Sequence, residues 1–367
     1  MFLVLKNCSP SDYEHQMEKM RALTNLLASH GLRKNILVAP KSVFNNVIDS
    51  KLYSVNDKRY AADALLYNRE HGSLKNQLLI HAIVDFNETS VVVHKIDDRY
   101  EVKVGFDLFQ NPINAEAIPL ISENESDYRF YNTVGYYYSN QISKLKLGIN
   151  LSHYLGAGSH SKTQFDKLSS IHPFLLCIVD NDKAHPNKAE GSTSSVFKKV
   201  DREFTNGQIA KVIDAREVES LIPEFILRNI FENSDSTMID ALDEVMLLSR
   251  HSTEFRVYFD HKDGLTLEKA IELDNKYGEF WLPLLSNISR FERKECFKTK
   301  TCIECGSCPE LKGLGNALLN SANDKMRITN PYNFKTKLES NLQDFWSDIG
   351  YFILSWGCVS KTKLGRT

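Results

Sequence analysis

Blocks of apolar and polar residues divide the chain into short helices and strands. Apolar residues at helical spacing between Met17 and Leu27 predict a first helix that ends at Gly31. Polar turns then separate three apolar runs, which are Gln77–Phe86, Ser90–Lys95 and Tyr100–Phe106. Runs of this length with short polar turns predict a three-stranded meander. We therefore expect the N-terminal region to be a separate α+β domain, or an extension of the sheet that follows it in the chain, with interaction as its default role.

From residue 117 onward the predicted strands and helices alternate. The expected elements are strand 117–122, helix 126–143, strand 147–155, helix 161–169, strand 174–180, helix 192–204 and strand 210–214. This alternation predicts right-handed crossovers and a parallel sheet flanked by helices. A helix over 235–250, a strand over Glu254–Phe259 and a mostly helical remainder complete the prediction.

The predicted fold class is α/β, with three domains. We expect an N-terminal α+β domain over 1–112, a parallel-sheet domain over 113–265 and a helical, cysteine-rich C-terminal domain over 266–367. At 42% hydrophobic residues the chain can bury a sizeable core. It contains no run of about 18 apolar residues and no signal-peptide pattern, which predicts a cytoplasmic protein without a membrane partner.

Carboxylates follow two of the buried apolar runs. The run before Glu123 continues to Asp127, and the run Phe174–Val179 stops at Asp180 and Asp182. The carboxyl ends of parallel strands share one edge of a sheet, and ligands bind beyond that edge. We therefore expect these four acids to gather around one point, where a divalent cation would neutralise them.

Four motifs in this region, taken in order, resemble a Toprim domain, the metal-dependent phosphoryl-transfer fold of primases, topoisomerases and OLD-family nucleases. Glu123–Asp127 is similar to the E-G-x-x-D pattern, with asparagine in the glycine's place, and Asp180–Asp182 matches D-x-D. Gly156–Gly158 fits the turn after the second strand. Arg216–Pro223 resembles an acidic R-E-x-E-N-like segment of the OLD-like members, with Ser220 where asparagine is common.

The resemblance implies phosphodiester hydrolysis assisted by Mg²⁺ or Mn²⁺. The expected catalytic residues are Glu123, Asp127, Asp180, Asp182, Glu217 and Glu219. Asp180 and Asp182 would ligate the metal, with Glu123 as a further ligand or general base, and Glu217 or Glu219 would complete a second metal site. Lys162 and Lys183 are candidate phosphate contacts. Each acid also has a purely structural interpretation as a turn or first-turn helix residue.

The resemblance also implies a setting for this activity. Stand-alone bacterial Toprim proteins suggest an antiphage-defence effector that acts by abortive infection on DNA or RNA. A separate ATPase or sensor would control it, since the chain carries no G-x-x-x-x-G-K-[ST] motif. Two alternatives remain open at this point. One is a non-catalytic nucleic-acid or partner-binding module of the recombination-mediator type, and the other is a primase-like enzyme.

Four of the seven cysteines lie within 13 residues, at Cys296, Cys302, Cys305 and Cys308. An odd total with this crowding argues against a disulfide framework and for a reducing compartment. Thiolates this close repel one another unless a metal neutralises them, so we expect tetrahedral Zn²⁺, with an iron–sulfur cluster as the alternative. We expect the remaining cysteines to be ordinary buried thiols.

Overall fold

Strands and helices alternate along most of the chain in the computed structural model, which describes residues 1–302 and 307–361. The strands are β1 (Phe2–Lys6), β2 (Ile36–Val38), β3 (Ile80–Asp85), β4 (Val92–Ile96), β5 (Arg99–Gly105), β6 (Ile118–Ser122), β7 (Gly148–Ile149), β8 (Leu151–Leu155), β9 (Leu175–Val179), β10 (Gln208–Val212), β11 (Gly264–Thr266), β12 (Glu310–Lys312) and β13 (Cys358–Val359).

Helices connect these strands and dominate the C-terminal half. The α-helices are α1 (Met17–Gly31), α2 (Lys41–Asp49), α3 (Val55–His71), α4 (Glu125–Tyr137), α5 (Ser161–Ser169), α6 (Ser192–Ser195), α7 (Lys199–Arg202), α8 (Glu224–Phe231), α9 (Ser236–His251), α10 (Phe255–Tyr258), α11 (Leu267–Tyr277), α12 (Trp281–Leu285), α13 (Ser289–Glu292), α14 (Glu295–Thr299), α15 (Leu318–Ile328), α16 (Pro331–Lys337) and α17 (Ser340–Gly357). Among the described residues no helix is long and apolar enough to cross a bilayer.

The chain forms two compact units, and each is built from several segments. The first unit comprises residues 1–178, 197–211 and 347 onward, and the second comprises residues 179–196 and 212–346. The domain limits at residues 112 and 265 remain a prediction from the sequence.

The N-terminal sheet of the first unit has the strand order β2-β1-β3-β5-β4. β1 runs parallel to β2 and β3, β3 runs parallel to β5, and only β4 is antiparallel to its neighbour β5. The expected meander and α+β class are therefore wrong for this region. The physical reason is that β3 is buried along nearly its whole length, which suits the centre of a parallel sheet, whereas the largely exposed β4 can only lie at the edge.

The second sheet has the order β10-β9-β6-β8, and β6 runs parallel to both β8 and β9. β9 and β10 also run in the same direction, because Leu175 N–H donates to Gly207 O near one end and Ile213 N–H donates to Val179 O at the other. The predicted parallel sheet flanked by helices is thus present. Strands β6 and β9 are buried along their whole length, as expected for strands covered on both faces.

The second unit is mainly helical, and a strand predicted within it is absent. Residues 255–258 form helix α10 where a strand over Glu254–Phe259 was expected. Phe255 and Phe259 are four residues apart, both are fully buried, and their rings stack at 5.1 Å. Helical spacing lets both rings reach the same core, which outweighs the strand preference of the aromatic run.

Candidate active site

The Asp180–Asp182 segment lies beside the residues that follow β10. Backbone N–H groups of Asn181 and Asp182 donate to the carbonyls of Ala215 and Arg216, each at 3.1 Å. The two chain segments therefore continue alongside each other after strands β9 and β10 end. This pairing fixes the D-x-D motif against the predicted acidic segment within the second unit.

Local packing holds this loop in a tight turn. Asp182 adopts left-handed backbone angles with φ 55°, and Gly191 N–H donates to Asn181 O at 2.9 Å. A Cβ at Gly191 would lie 2.2 Å from Asp182 Cβ, so only glycine fits there without a shift. The Asn181 side-chain oxygen accepts from Lys183 N–H at 2.9 Å. Asp180 itself is buried.

Two buried glutamates face a lysine in the same unit. Lys262 Nζ lies 3.1 Å from Glu219 Oε1 and 3.6 Å from Glu217 Oε2. Burial raises the pKa of Glu217 to about 7, and burial followed by the neighbouring Glu217 charge raises the pKa of Glu219. Burial lowers the pKa of Lys262, but the two glutamates outweigh it, so the pKa ends above its usual value.

A second layer of contacts holds Glu217 in place. Its Oε1 accepts the backbone N–H of His261 and lies 3.3 Å from the His261 ring nitrogen Nδ1. His261 is fully buried, and burial, followed by the positive charge of Arg256, lowers its pKa to about 3. Arg216 forms an ion pair with Asp260, one residue before His261. Glu217 is therefore held by a neutral histidine and oriented by the Asp260–Lys262 turn.

The carboxylates around Lys262 outnumber its single positive charge. Glu217 and Glu219 carry two potential negative charges against the single ammonium of Lys262, and the Asp180 charge also acts on Lys262. Carboxylate oxygens around one cationic position are the donor chemistry that Mg²⁺ and Mn²⁺ prefer. The carboxylates are therefore chemically suited to such an ion. In this structure the Lys262 ammonium is the cation that faces Glu217 and Glu219. Across residues 1–302 and 307–361, no three His, Cys, Asp or Glu side chains are grouped as ligands of one metal ion.

Glu123 and Asp127 lie in the first unit, where Glu123 directly follows β6. The glycine turn after β8 is bonded to this strand end, since Ala157 N–H donates to Glu123 O at 3.1 Å. A Cβ at Gly158 would lie 3.8 Å from Glu123 Oε1, so the glutamate side chain faces this turn. Asp127 Oδ2 accepts the Asn124 N–H at 2.8 Å. Asp127 thus helps to cap helix α4, which is its structural interpretation.

The two predicted phosphate contacts differ in their surroundings. Lys162, in the first unit, forms ion pairs with Asp166 and with Asp201, the latter at 3.3 Å. Its charge is thus already balanced by carboxylates. Lys183, in the second unit, directly follows the D-x-D motif and places Nζ 5.9 Å from the centre of the Tyr258 ring. Lys183 is the better placed of the two to meet a phosphate beside Asp180–Asp182.

The cysteine prediction is only partly covered by the described residues. Cys296 is buried on helix α14, Cys302 is exposed and Cys308 is half-buried. Cys308 Sγ accepts the Glu268 N–H at 3.4 Å. Cys305 lies outside the described residues, so the four-cysteine zinc site remains a prediction.

Sequence reasoning assigned no role to Lys262, although its contacts make it central to the site. The available signal was the dense charge of Asp260–Asp263, just before Gly264. Comparison of the chain with protein-family models, curated proteins and solved structures gave no match.

Proposed function

We propose that this protein is a metal-dependent phosphodiesterase of the Toprim type that hydrolyses DNA or RNA. Carboxylates follow three neighbouring strands of the second sheet: Glu123 follows β6, Asp180 and Asp182 follow β9, and Glu217 follows β10 by a few residues. The order of these acids along the chain and their positions at carboxyl ends of strands support the proposal.

The strand order of the second sheet is the observation that carries this proposal. From β6 the chain crosses to β8 on one side and then to β9 on the other side, so the winding reverses between β6 and β9. Ligands of open parallel sheets bind outside the carboxyl ends at such a switch point. Glu123 and Asp180 are the first residues after these two strands. Acids that directly follow buried parallel strands favour a ligand that brings a cation.

The side chains of the second unit supply the proton chemistry. A carboxyl whose pKa lies near neutrality, as burial sets it for Glu217, can accept and return a proton at physiological pH. Asp180, Asp182 and Glu219 would hold Mg²⁺ or Mn²⁺, which when bound would neutralise phosphate oxygens and activate water. Lys183 presents an ammonium group that can contact the phosphate of a bound strand.

The wider biological setting is part of the proposal and rests on the sequence resemblance alone. In this proposal the protein is an antiphage effector that a separate ATPase or sensor regulates, and its cysteine segment binds a structural zinc ion. The separate ATPase fits a chain that carries no G-x-x-x-x-G-K-[ST] motif.

The test is a cleavage assay on the full chain. Purified protein is incubated with supercoiled plasmid, single-stranded DNA and tRNA in Mg²⁺, Mn²⁺ or EDTA. We expect cleavage with either metal and none with EDTA. Asp180→Asn and Glu123→Gln should each abolish cleavage, whereas Asp240→Asn, an exposed acid on helix α9, should cleave at the wild-type rate. Wild-type cleavage by Asp180→Asn would refute the assignment.

One observation favours a second candidate, a non-catalytic nucleic-acid binding module. The Lys262 ammonium already neutralises part of the carboxylate group, so this site can be stable without a metal. The module would bind nucleic acid equally well in EDTA and in Mg²⁺ and would release no product. A filter-binding measurement beside the cleavage assay separates the two functions.

A further inference from the structure

An open cleft of about 540 Å³ lies in the second unit, apart from the buried glutamates. Helix α10 and the start of α17 frame it, together with the chain just after β10. The lining residues that matter here are Asp214, Glu254, Tyr258, Ser340, Asn341 and Phe345. The proposed function assigns none of these six residues a role.

The cleft adjoins the catalytic segments through two contacts. Val257 lines the cleft, and its carbonyl accepts the backbone N–H of Arg216, the residue before Glu217, at 2.8 Å. Lys183, which follows the D-x-D motif, places its ammonium over the ring of Tyr258. The cleft therefore adjoins Lys183, the predicted phosphate contact. A single nucleotide could place its phosphate at Lys183 and its base in the cleft.

The lining selects against a phosphate and for a hydrogen-bond donor. Among the described residues that line the cleft, none is Lys or Arg, whereas Asp214 and Glu254 contribute two carboxylates. Both charges act on Tyr258, whose pKa is raised by burial and then by Glu254 and Asp214. A group that donates hydrogen bonds would satisfy these acceptors, and an anion would be repelled.

The aromatic part of the lining narrows the ligand class. Tyr258 and Phe345 are half-buried, so each ring keeps part of its surface open to the cleft. A nucleobase stacks on such rings, and the Asn341 amide and Ser340 hydroxyl offer further hydrogen bonds to a base edge. The volume is ample for one nucleoside and small for a folded peptide.

We propose that this cleft is a subsite for a nucleobase that carries an exocyclic amino group, with Asp214 or Glu254 accepting from that group; cytosine and adenine are the two such bases used in the test, against thymine, which has none. Its use as a specificity pocket next to the scissile phosphate rests on the proposed nuclease function. The base-binding property itself does not require that function. A carboxylate that accepts from a base amino group is a common means of reading bases.

The test measures nucleoside binding to the full chain without metal. Deoxycytidine, deoxyadenosine and thymidine, none with a phosphate, are titrated by isothermal calorimetry and by saturation-transfer NMR. We expect deoxycytidine or deoxyadenosine to bind about tenfold more tightly than thymidine, which corresponds to one good carboxylate–amino contact. Asp214→Ala or Glu254→Ala should remove that advantage, and Asp240→Ala, a matched exposed acid on helix α9, should leave it unchanged.

The outcomes separate this subsite from the nuclease proposal. Equal binding of the three nucleosides, no binding, or an advantage that survives in both cleft variants would overturn the subsite, even if metal-dependent cleavage is observed. Selective binding that the cleft variants abolish supports the subsite, even if no cleavage is found. In a cleaving enzyme, the same variants should also reduce any preference for cytosine or adenine next to the cut.

Discussion

Removing the Lys262 ammonium gives the sharpest test of the buried charge group. In Lys262→Met the aliphatic stem is kept and the charge is lost, so Glu217 and Glu219 face each other without a counter-charge. Their side chains are 10% and 3% exposed, whereas that of Lys262 is 35% exposed. The substitution therefore leaves two buried carboxylates uncompensated while solvent still reaches the position of the missing ammonium.

The magnitude follows from the two contact distances. At an effective dielectric of 20, Coulomb's law gives about 5 kcal/mol for each contact before desolvation is subtracted. Breaking a fully buried pair costs about 3–5 kcal/mol, and the one-third exposure of Lys262 reduces this, so we expect a loss of about 2 kcal/mol near pH 7.5. Adding Glu219→Gln should recover about half of that loss, because one of the two carboxylates is then neutral.

Urea unfolding followed by tryptophan fluorescence measures this loss. The control is Lys269→Met, which removes an exposed lysine paired with Glu272 at 2.8 Å and should cost under about 0.5 kcal/mol. Glutamates with raised pKa values bind more protons when folded, so the Lys262→Met deficit should shrink as the pH falls from 7.5 to 5.5. A deficit no larger than that of the control, or one independent of pH, would contradict the buried-pair description.

Three further predictions concern other parts of the chain. Burial and Arg256 hold the pKa of His261 at about 3, against 6.5 when unfolded, so the unfolded chain binds a proton first as the pH falls. The unfolding free energy of the wild type should therefore fall by about 2 kcal/mol relative to His261→Gln between pH 7.5 and pH 5, and should not change above pH 7.5, as measured by urea titration. Gly191→Ala would place Cβ 2.2 Å from Asp182 Cβ, so chemical denaturation should show a loss of about 1–3 kcal/mol and cleavage assays a reduced rate. Ser54→Ala removes the N-cap of helix α3 and should lower the unfolding free energy by about 1 kcal/mol, measured by circular dichroism.

Much of the second sheet could be predicted from local patterns. Strands β6 and β9 and helix α5 lie within one residue of their predicted limits, because a buried parallel strand is a short apolar run that ends abruptly. The N-terminal sheet could not be predicted in the same way. Whether an apolar run pairs with the next run or with a distant one depends on partners far along the chain, and β3 pairs with β1 and β5 in preference to β4.

In the candidate site, too, some residues could be predicted from the sequence and others could not. Asp180, Asp182 and Glu217 could be singled out because acids at strand ends are visible in the sequence. Lys262 could not, since it lies more than 40 residues after Glu217 and belongs to a turn without a periodic pattern. Its role depends on desolvation of the glutamates, and desolvation is a property of the packed chain.

The sequence by itself determined strands β6 and β9, helix α5 and the acids that follow the strands of the second sheet, because these features depend on neighbours along the chain. Only the tertiary structure decided the direction and order of the N-terminal strands, the helical state of residues 255–258 and the ammonium that faces the buried glutamates. These features depend on contacts between residues far apart in the chain, and on water being excluded from them.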